Sequence, residues 1–152
     1  MALDDDIRIL SGVRLFEGFT PEQLRLLAFG AEPMRLPAGR KLYREDDVAD
    51  SAYVVVKGTI GLFRESDGQR VPVSTVEPGA VLGELALIAD TMRLTSAAAE
   101  TDAEVLRLNR KMFHRILEEY PEAAIALRQR IVEELQAMIR RIEELAPRFA
   151  PD

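Results

Sequence analysis

Gly83-Glu84-Leu85-Ala86-Leu87-Ile88-Ala89-Asp90-Thr91-Met92-Arg93, followed by Leu94-Thr95-Ser96-Ala97, opens on a carboxylate and closes on a guanidinium. Leu85, Leu87 and Ile88 between them are apolar, a pattern that predicts a short buried turn of helix with free N–H groups at its start. Free N–H groups at a helix start attract phosphate. The planar fork of Arg93 matches two phosphate oxygens. Glu84 suits a ribose hydroxyl, the task an acidic residue performs in dinucleotide sites. One loop therefore offers something to both ends of a nucleotide. Taken alone, the same two residues also fit a plain loop ion pair, worth well under ~1 kcal/mol.

Outward from this stretch the apolar residues come in short runs. Met34, Leu36, Leu42, Tyr53-Val54-Val55-Val56, Ile60, Leu62, Val71, Val73 and Val105-Leu106 with Leu108 are separated by turn signals. Those signals are Pro37-Ala38-Gly39, Lys57-Gly58, Ser66-Asp67-Gly68 and Glu77-Pro78-Gly79. Short strands at this spacing predict an all-β barrel or sandwich over 32–109. Asp67-Gly68 is a hairpin signal.

Helices flank the barrel. Ile7, Leu10 and Val13 have helical spacing, with Asp4 to Asp6 near the start, where negative charge suits the dipole. Thr20-Pro21-Glu22-Gln23 reads as N-cap, first helical residue and capping box of a second helix that ends at Gly30. After the barrel, a short helix over 111–118 carries Met112, Phe113, Ile116 and Leu117 towards the core. Tyr120-Pro121 breaks it, and Pro121 opens a long helix to about Leu145. There Ile131, Leu135, Met138, Ile142 and Leu145 recur at coiled-coil spacing, with Val132 and Ile139 as a second stripe beside them. Two stripes imply two surfaces: the first predicts a homodimer seam, the second a face against the chain's own barrel. A single wide face docked on its own domain is the alternative. The tail, Pro147 to Asp152, is expected to be loose.

Composition narrows the classes. The chain has 152 residues, a formal charge of −6, no cysteine and one histidine. One domain spans 1–152: helices over 1–31, the barrel over 32–109 with the loop at 83–96, and helices over 111–145. An acidic chain is a poor partner for nucleic acid. No apolar run approaches the ~18 residues that span a bilayer, and no signal peptide opens the chain, so the expected location is the cytoplasm. Metal-dependent jelly-roll enzymes need clustered His, whereas the lone His114 falls after the barrel. No metal site, no bound cofactor and no nucleophile elbow or phosphate loop is read, and no enzyme is expected.

The 83–96 stretch resembles the phosphate-binding cassette of cyclic nucleotide-binding domains, through Gly83, Glu84, Ala86, Leu87 and Arg93 and the spacing between glycine and arginine. It departs at Leu82 (usually Phe), Met92 (usually Pro), Leu94 (usually Ala, Ser or Thr) and Thr95 (usually Ala). The resemblance implies an eight-stranded jelly-roll barrel, mainly β with N-terminal helices and a long C-terminal helix, the cassette lying between strands six and seven. It also implies that Glu45-Asp46-Asp47 stands where the family has Glu-Gly-Asp, with Asp46 tolerating the left-handed backbone. The implied ligand is a cyclic nucleotide. Its phosphate falls to Arg93 and to backbone N–H groups near Ala86 and Leu94-Thr95; its ribose falls to Glu84 and Gly83, with Leu85 in the same loop. Val71 and Val73 are expected to line the pocket, and the base to lie near Leu135, Met138 and Ile139. Leu94 lacks the hydroxyl that follows the arginine in cyclic GMP binders, so cyclic AMP is favoured over cyclic GMP. The chain ends about where a helix-turn-helix would begin, so no DNA binding is expected of it. The implied function is a sensor whose C-terminal helices move about a joint at 119–121 and signal to a protein partner, itself not identifiable from sequence. The alternative is a dimerising scaffold of the same fold that binds no nucleotide.

Overall fold

A computed structural model describes residues 2–145, with side chains from Asp4 onward; the tail expectation for 147–152 lies outside them. The N-terminal helices are α1 (Ala2–Ser11) and α2 (Pro21–Gly30), joined by a 3-10 turn at Arg14–Phe16. Val13 falls beyond the end of α1 yet is buried, so its apolar character belongs to the core and not to the helix. At α2 the capping box is complete: the Thr20 hydroxyl accepts from the Gln23 N–H at 3.2 Å, and the Gln23 side chain accepts from the Thr20 N–H at 2.9 Å.

Ten strands follow: β1 (Glu32–Leu36), β2 (Lys41–Tyr43), β3 (Val48–Ala49), β4 (Ser51–Lys57), β5 (Ile60–Ser66), β6 (Gln69–Val76), β7 (Val81–Leu82), β8 (Thr91–Met92), β9 (Ser96–Ala99) and β10 (Ala103–Asn109). Eight of them form two four-stranded sheets, β1-β10-β4-β7 and β2-β9-β5-β6, the two layers of a jelly roll. The other two, β3 and β8, pair only with each other, Val48 opposite Met92. Sequence spacing does not show this ribbon because each of its strands has two residues. Without the ribbon, the cassette stands between the sixth and seventh strands of the roll. Asp67 and Gly68, at φ 53° and 78°, make the tight turn from β5 to β6.

The sheet containing β4 and β10 is apolar on both faces. Ala52, Val54, Leu106 and Leu108 pack against the helices, with Phe16, Leu27, Phe113, Leu127 and Ile131. The alternate residues Tyr53, Val55, Ala103 and Val105 face the barrel interior, with Leu62, Leu82, Ala97 and Ala99. The period of two along each strand divides the molecule into a helical core and a barrel core.

After the barrel come α3 (Arg110–Glu119), capped by Asn109, and α4 (Pro121–Glu144). Tyr120 alone separates them. The two stripes of α4 face opposite ways from the expectation. Ile131 is completely buried in the helical core, and Met138, Ile142 and Leu145 lean on the barrel core. Val132 and Ile139 are the residues turned to solvent, 42% and 40% exposed. Heptad spacing finds the stripes but cannot say which neighbour each one meets.

Candidate functional site

The cassette is held at both ends. Gly83 adopts a left-handed backbone, φ 69° and ψ 32°, and starts a 3-10 turn over Glu84–Leu87. A Cβ at that position would stand 2.1 Å from Arg93 Nη1, so a side chain there would displace the guanidinium, and the left-handed backbone adds strain for most residues. At the other end, the Arg93 N–H donates to the Asp47 carbonyl at 2.8 Å, and the Asp46 N–H donates to the Arg93 carbonyl at 2.9 Å. Asp46 makes that turn with φ 69°, the left-handed conformation the sequence asks of it.

Pinned this way, the Arg93 side chain turns inward and is 6% exposed. Its Nη2 donates to the Ser51 carbonyl at 2.8 Å. Its guanidinium lies 4.3 Å from the Tyr43 ring centre and 5.6 Å from that of Tyr53, whose ring stacks on Tyr43. Nη1 is buried with no hydrogen-bond partner. Among the described residues, no carboxylate lies within 4.0 Å of this cation. The loop ion pair is therefore not what forms. A desolvated cation over an aromatic face recovers ~0.5–2 kcal/mol. An unpaired buried charge costs several times that. The imbalance is what an anion would remove.

Glu84, half-buried, is the acidic counterpart. Burial pushes its carboxyl up to about 7; its own backbone N–H opposes that rise and the Glu134 carboxylate adds to it. Burial likewise raises the Tyr43 phenol, partly opposed by Arg93, with Thr95 hydrogen-bonded to the ring hydroxyl.

Two hollows meet at these residues. The narrow one, about 70 Å³, is bordered by Arg93, Gly83, Glu84, Leu85 and Ala86 and by Leu94, Thr95, Leu135 and Met138. The larger, about 370 Å³, shares Tyr43, Gly83, Glu84 and Met138 with it and continues to Ser74, Val76, Glu134 and Arg141. Its volume falls in the ~300–1,000 Å³ range of small-molecule sites. α4 forms the roof and is tied down by two arginines. Arg130 donates to the Leu15 carbonyl at 3.1 Å and also to the Glu17 carbonyl; Arg141 donates to the Val73 carbonyl.

The structure thus brings together Gly83, Glu84, Leu85, Ala86, Arg93, Leu94, Thr95 and Met138. Val71 and Val73 line neither hollow: Val73 is buried in the barrel core, and Val71 is half-buried opposite Arg64. A bulge explains it. Leu62 pairs with Ser74 but the next residue, Phe63, pairs with Pro72, so the alternation along β6 resets at Val73. Ser74 and Val76 take the wall positions instead. The Ala86 N–H, expected to be free, already donates to the Gly83 carbonyl at 3.1 Å. Ile139 lies on the outer side of α4, away from both hollows.

Sequence reasoning missed Tyr43, Tyr53 and Ser51, because nothing local says that three strand residues meet one distant arginine. Glu134 and Arg141 carried a signal: they flank Met138 at four- and three-residue spacing and so share its face.

The profile of the cyclic nucleotide-binding domain matches residues 33–120. The chain belongs to the cyclic nucleotide-binding domain family. It is 29% identical to the cyclic AMP receptor protein of Thermus thermophilus over 116 residues, 76% of this chain and 54% of that protein. It is 32% identical to a cAMP-dependent protein kinase regulatory subunit of Neurospora crassa over 124 residues, 82% of this chain and 31% of that one. The chain therefore spans about half of the first relative and a third of the second. Among solved structures, a cyclic nucleotide-binding-like protein from Brucella abortus is 63% identical, with a TM-score of 0.69 over 76% of this chain and 99% of that chain.

Proposed function

We propose that this chain is a cyclic nucleotide sensor, with cyclic AMP the favoured ligand and cyclic GMP second. One observation carries the reading: Arg93 is buried on Tyr43 with an unpaired Nη1 and no carboxylate beside it. A cyclic phosphate placed at Nη1 supplies the missing charge and acceptors together. The ribose 2′-hydroxyl then reaches Glu84 and the Gly83 backbone, and the base enters the larger hollow beneath Met138, beside Ser74 and Glu134. Relatives named for cyclic AMP support the choice of nucleotide. No catalytic step is assigned: the ligand is held and released.

Signalling follows from the roof. Leu135 and Met138 close the narrow hollow, so a ligand on Arg93 favours arrangements of α4 in which they stand back. It shifts that equilibrium only by its differential affinity for the two arrangements. The joint at Tyr120 is where α4 turns. The protein works in the cytoplasm, paired with a second copy through α4, and passes the shift to a downstream protein and not to nucleic acid. Among the described residues no helix is long and apolar enough to cross a membrane.

A second reading has its own observation. Leu94 puts an exposed apolar side chain where the family has a small or hydroxyl residue, which suits a dimerising scaffold that binds no nucleotide. Calorimetric titration with cyclic AMP and cyclic GMP separates the two. Under the sensor reading the intact protein binds and Arg93→Ala weakens binding by ~100-fold or more, the usual loss when one partner of a buried charge pair is removed. Equal affinities would remove Arg93 from the site, and no heat with either nucleotide would favour the scaffold.

A further inference from the structure

The two short helices α2 and α3 line neither hollow, yet together they present a surface the fold does not need. They run antiparallel. At one end a Cβ on Gly30 would stand 1.6 Å from Met112 Sδ, so the start of α3 lies against the end of α2. At the other end the hydroxyl of Tyr120, just past α3, donates to the Glu22 carboxylate near the start of α2. Their inward residues, Leu24, Leu27, Phe113 and Ile116, belong to the helical core. Leu26, one turn before Gly30 and on the same flank, is 39% exposed, and Phe29 is 82% exposed. A ring left this far in water adds almost nothing to folding.

Charge gives the surface a direction. The Phe29 end carries three cations: Arg25, one turn before Phe29 on α2, and Lys111 and Arg115, which accompany Met112 on α3. All three are exposed, and among the described residues no carboxylate lies within 4.0 Å of any of them. The opposite end carries Glu22, Glu118 and Glu119. On a chain of formal charge −6, unpaired cations gathered about an exposed phenylalanine stand out from the rest of the surface.

We infer that this surface docks an acidic amphipathic segment of another protein. The segment's apolar residues cover Leu26, Phe29 and Met112, with Phe29 as the aromatic anchor. Its carboxylates meet Arg25, Lys111 and Arg115. Charge complementarity names the occupant, because a segment has two ends and can match both: carboxylates at the cationic end, a basic residue beside Glu22 and Glu118. An anionic lipid surface suits the first end and is repelled by the second. Two copies of this acidic chain repel one another. The docking stands apart from nucleotide binding, and its test contains no nucleotide.

The probe is a phage-displayed library of random peptides about 16 residues long, enough for a helix along the pair, panned on the intact chain. The selected peptides are rich in Asp and Glu beside Leu, Ile or Phe. Synthesised singly, they bind in fluorescence anisotropy, and Phe29→Ala weakens them by ~10-fold or more, the loss at an aromatic anchor. Lys111→Glu combined with Arg115→Glu weakens them by ~10-fold. The same peptides with Lys in place of every acidic residue bind that reversed protein better than the intact one. The substituted side chains are exposed, and circular dichroism checks that the variants fold. No enrichment, enriched peptides without acidic residues, or affinities indifferent to both changes overturn the inference. Two further results also overturn it. Co-sedimentation with phosphatidylserine–phosphatidylcholine vesicles that Phe29→Ala abolishes would assign the surface to a membrane. A dimer in sedimentation velocity that Phe29→Ala dissociates would assign it to a second copy.

Discussion

The helical core and the barrel core share one sheet and use it in opposite ways. On the helical side Leu10, Phe16, Leu27, Phe113, Leu127 and Ile131 are each at most 2% exposed and fill the space completely. On the barrel side the facing strand β9 brings only the small residues Ala97 and Ala99, and Leu62 and Leu82 of this core border the larger hollow. Both charged anchors stand on that side. Stability is concentrated where packing is tight, and binding chemistry where it is not. The well-packed half can carry the desolvation of Arg93 and Glu84, as a scaffold carries strain at a functional site.

Cutting into the tight side should have the largest effect. Phe113 is fully buried and its ring lies 6.1 Å from that of Phe16. Phe113→Ala should lower unfolding free energy by ~3–5 kcal/mol, the transfer loss plus the cavity left behind. Urea denaturation measures it; a loss below ~1 kcal/mol would mean the helical core is loosely packed and the contrast misdrawn.

Glu84 comes next, and its effect depends on pH. In the folded protein it keeps its proton up to about pH 7, whereas in the unfolded chain it loses it near 4.5. Between those values the folded state holds more protons, so stability falls as pH rises through that window and is flat above it. Glu84→Gln removes this slope. It should be more stable than the parent at pH 8 by a few kcal/mol, and no different at pH 4. Matching stability curves for the two proteins from pH 4 to pH 8 would show that the carboxyl is not desolvated.

The contrast also explains what could be read in advance. The strand pattern, the turn at Asp67-Gly68, the cap at Thr20 and the restart at Pro121 depend on local chemistry, and local chemistry is written in adjacent residues. The same holds for Gly83, Glu84 and Arg93, which lie in one short loop. Tyr43 and Ser51 reach Arg93 only because the β3–β8 ribbon and the Asp46 turn fold the chain back on itself. The wall residues of β6 depended on a bulge that resets a period of two. The stripes on α4 were visible, but their orientation depended on where Leu127 and Ile131 dock, a tertiary fact.

The smallest predicted effect is the most discriminating. Met138 and Ile131 lie on the same helix, two turns apart, and both look like seam residues in the sequence. Ile131 is buried in the helical core, while Met138 is half-buried and borders both hollows. Truncating Met138 removes few packed contacts, and alanine is the better helix former. Met138→Ala should therefore lower stability by less than ~1 kcal/mol, against ~2–5 kcal/mol for Ile131→Ala. Thermal or urea unfolding of the two variants side by side compares the two environments directly. Equal losses would mean that Met138 is clamped as tightly as the core. The roof over Arg93 would then resist the opening that entry of a nucleotide requires.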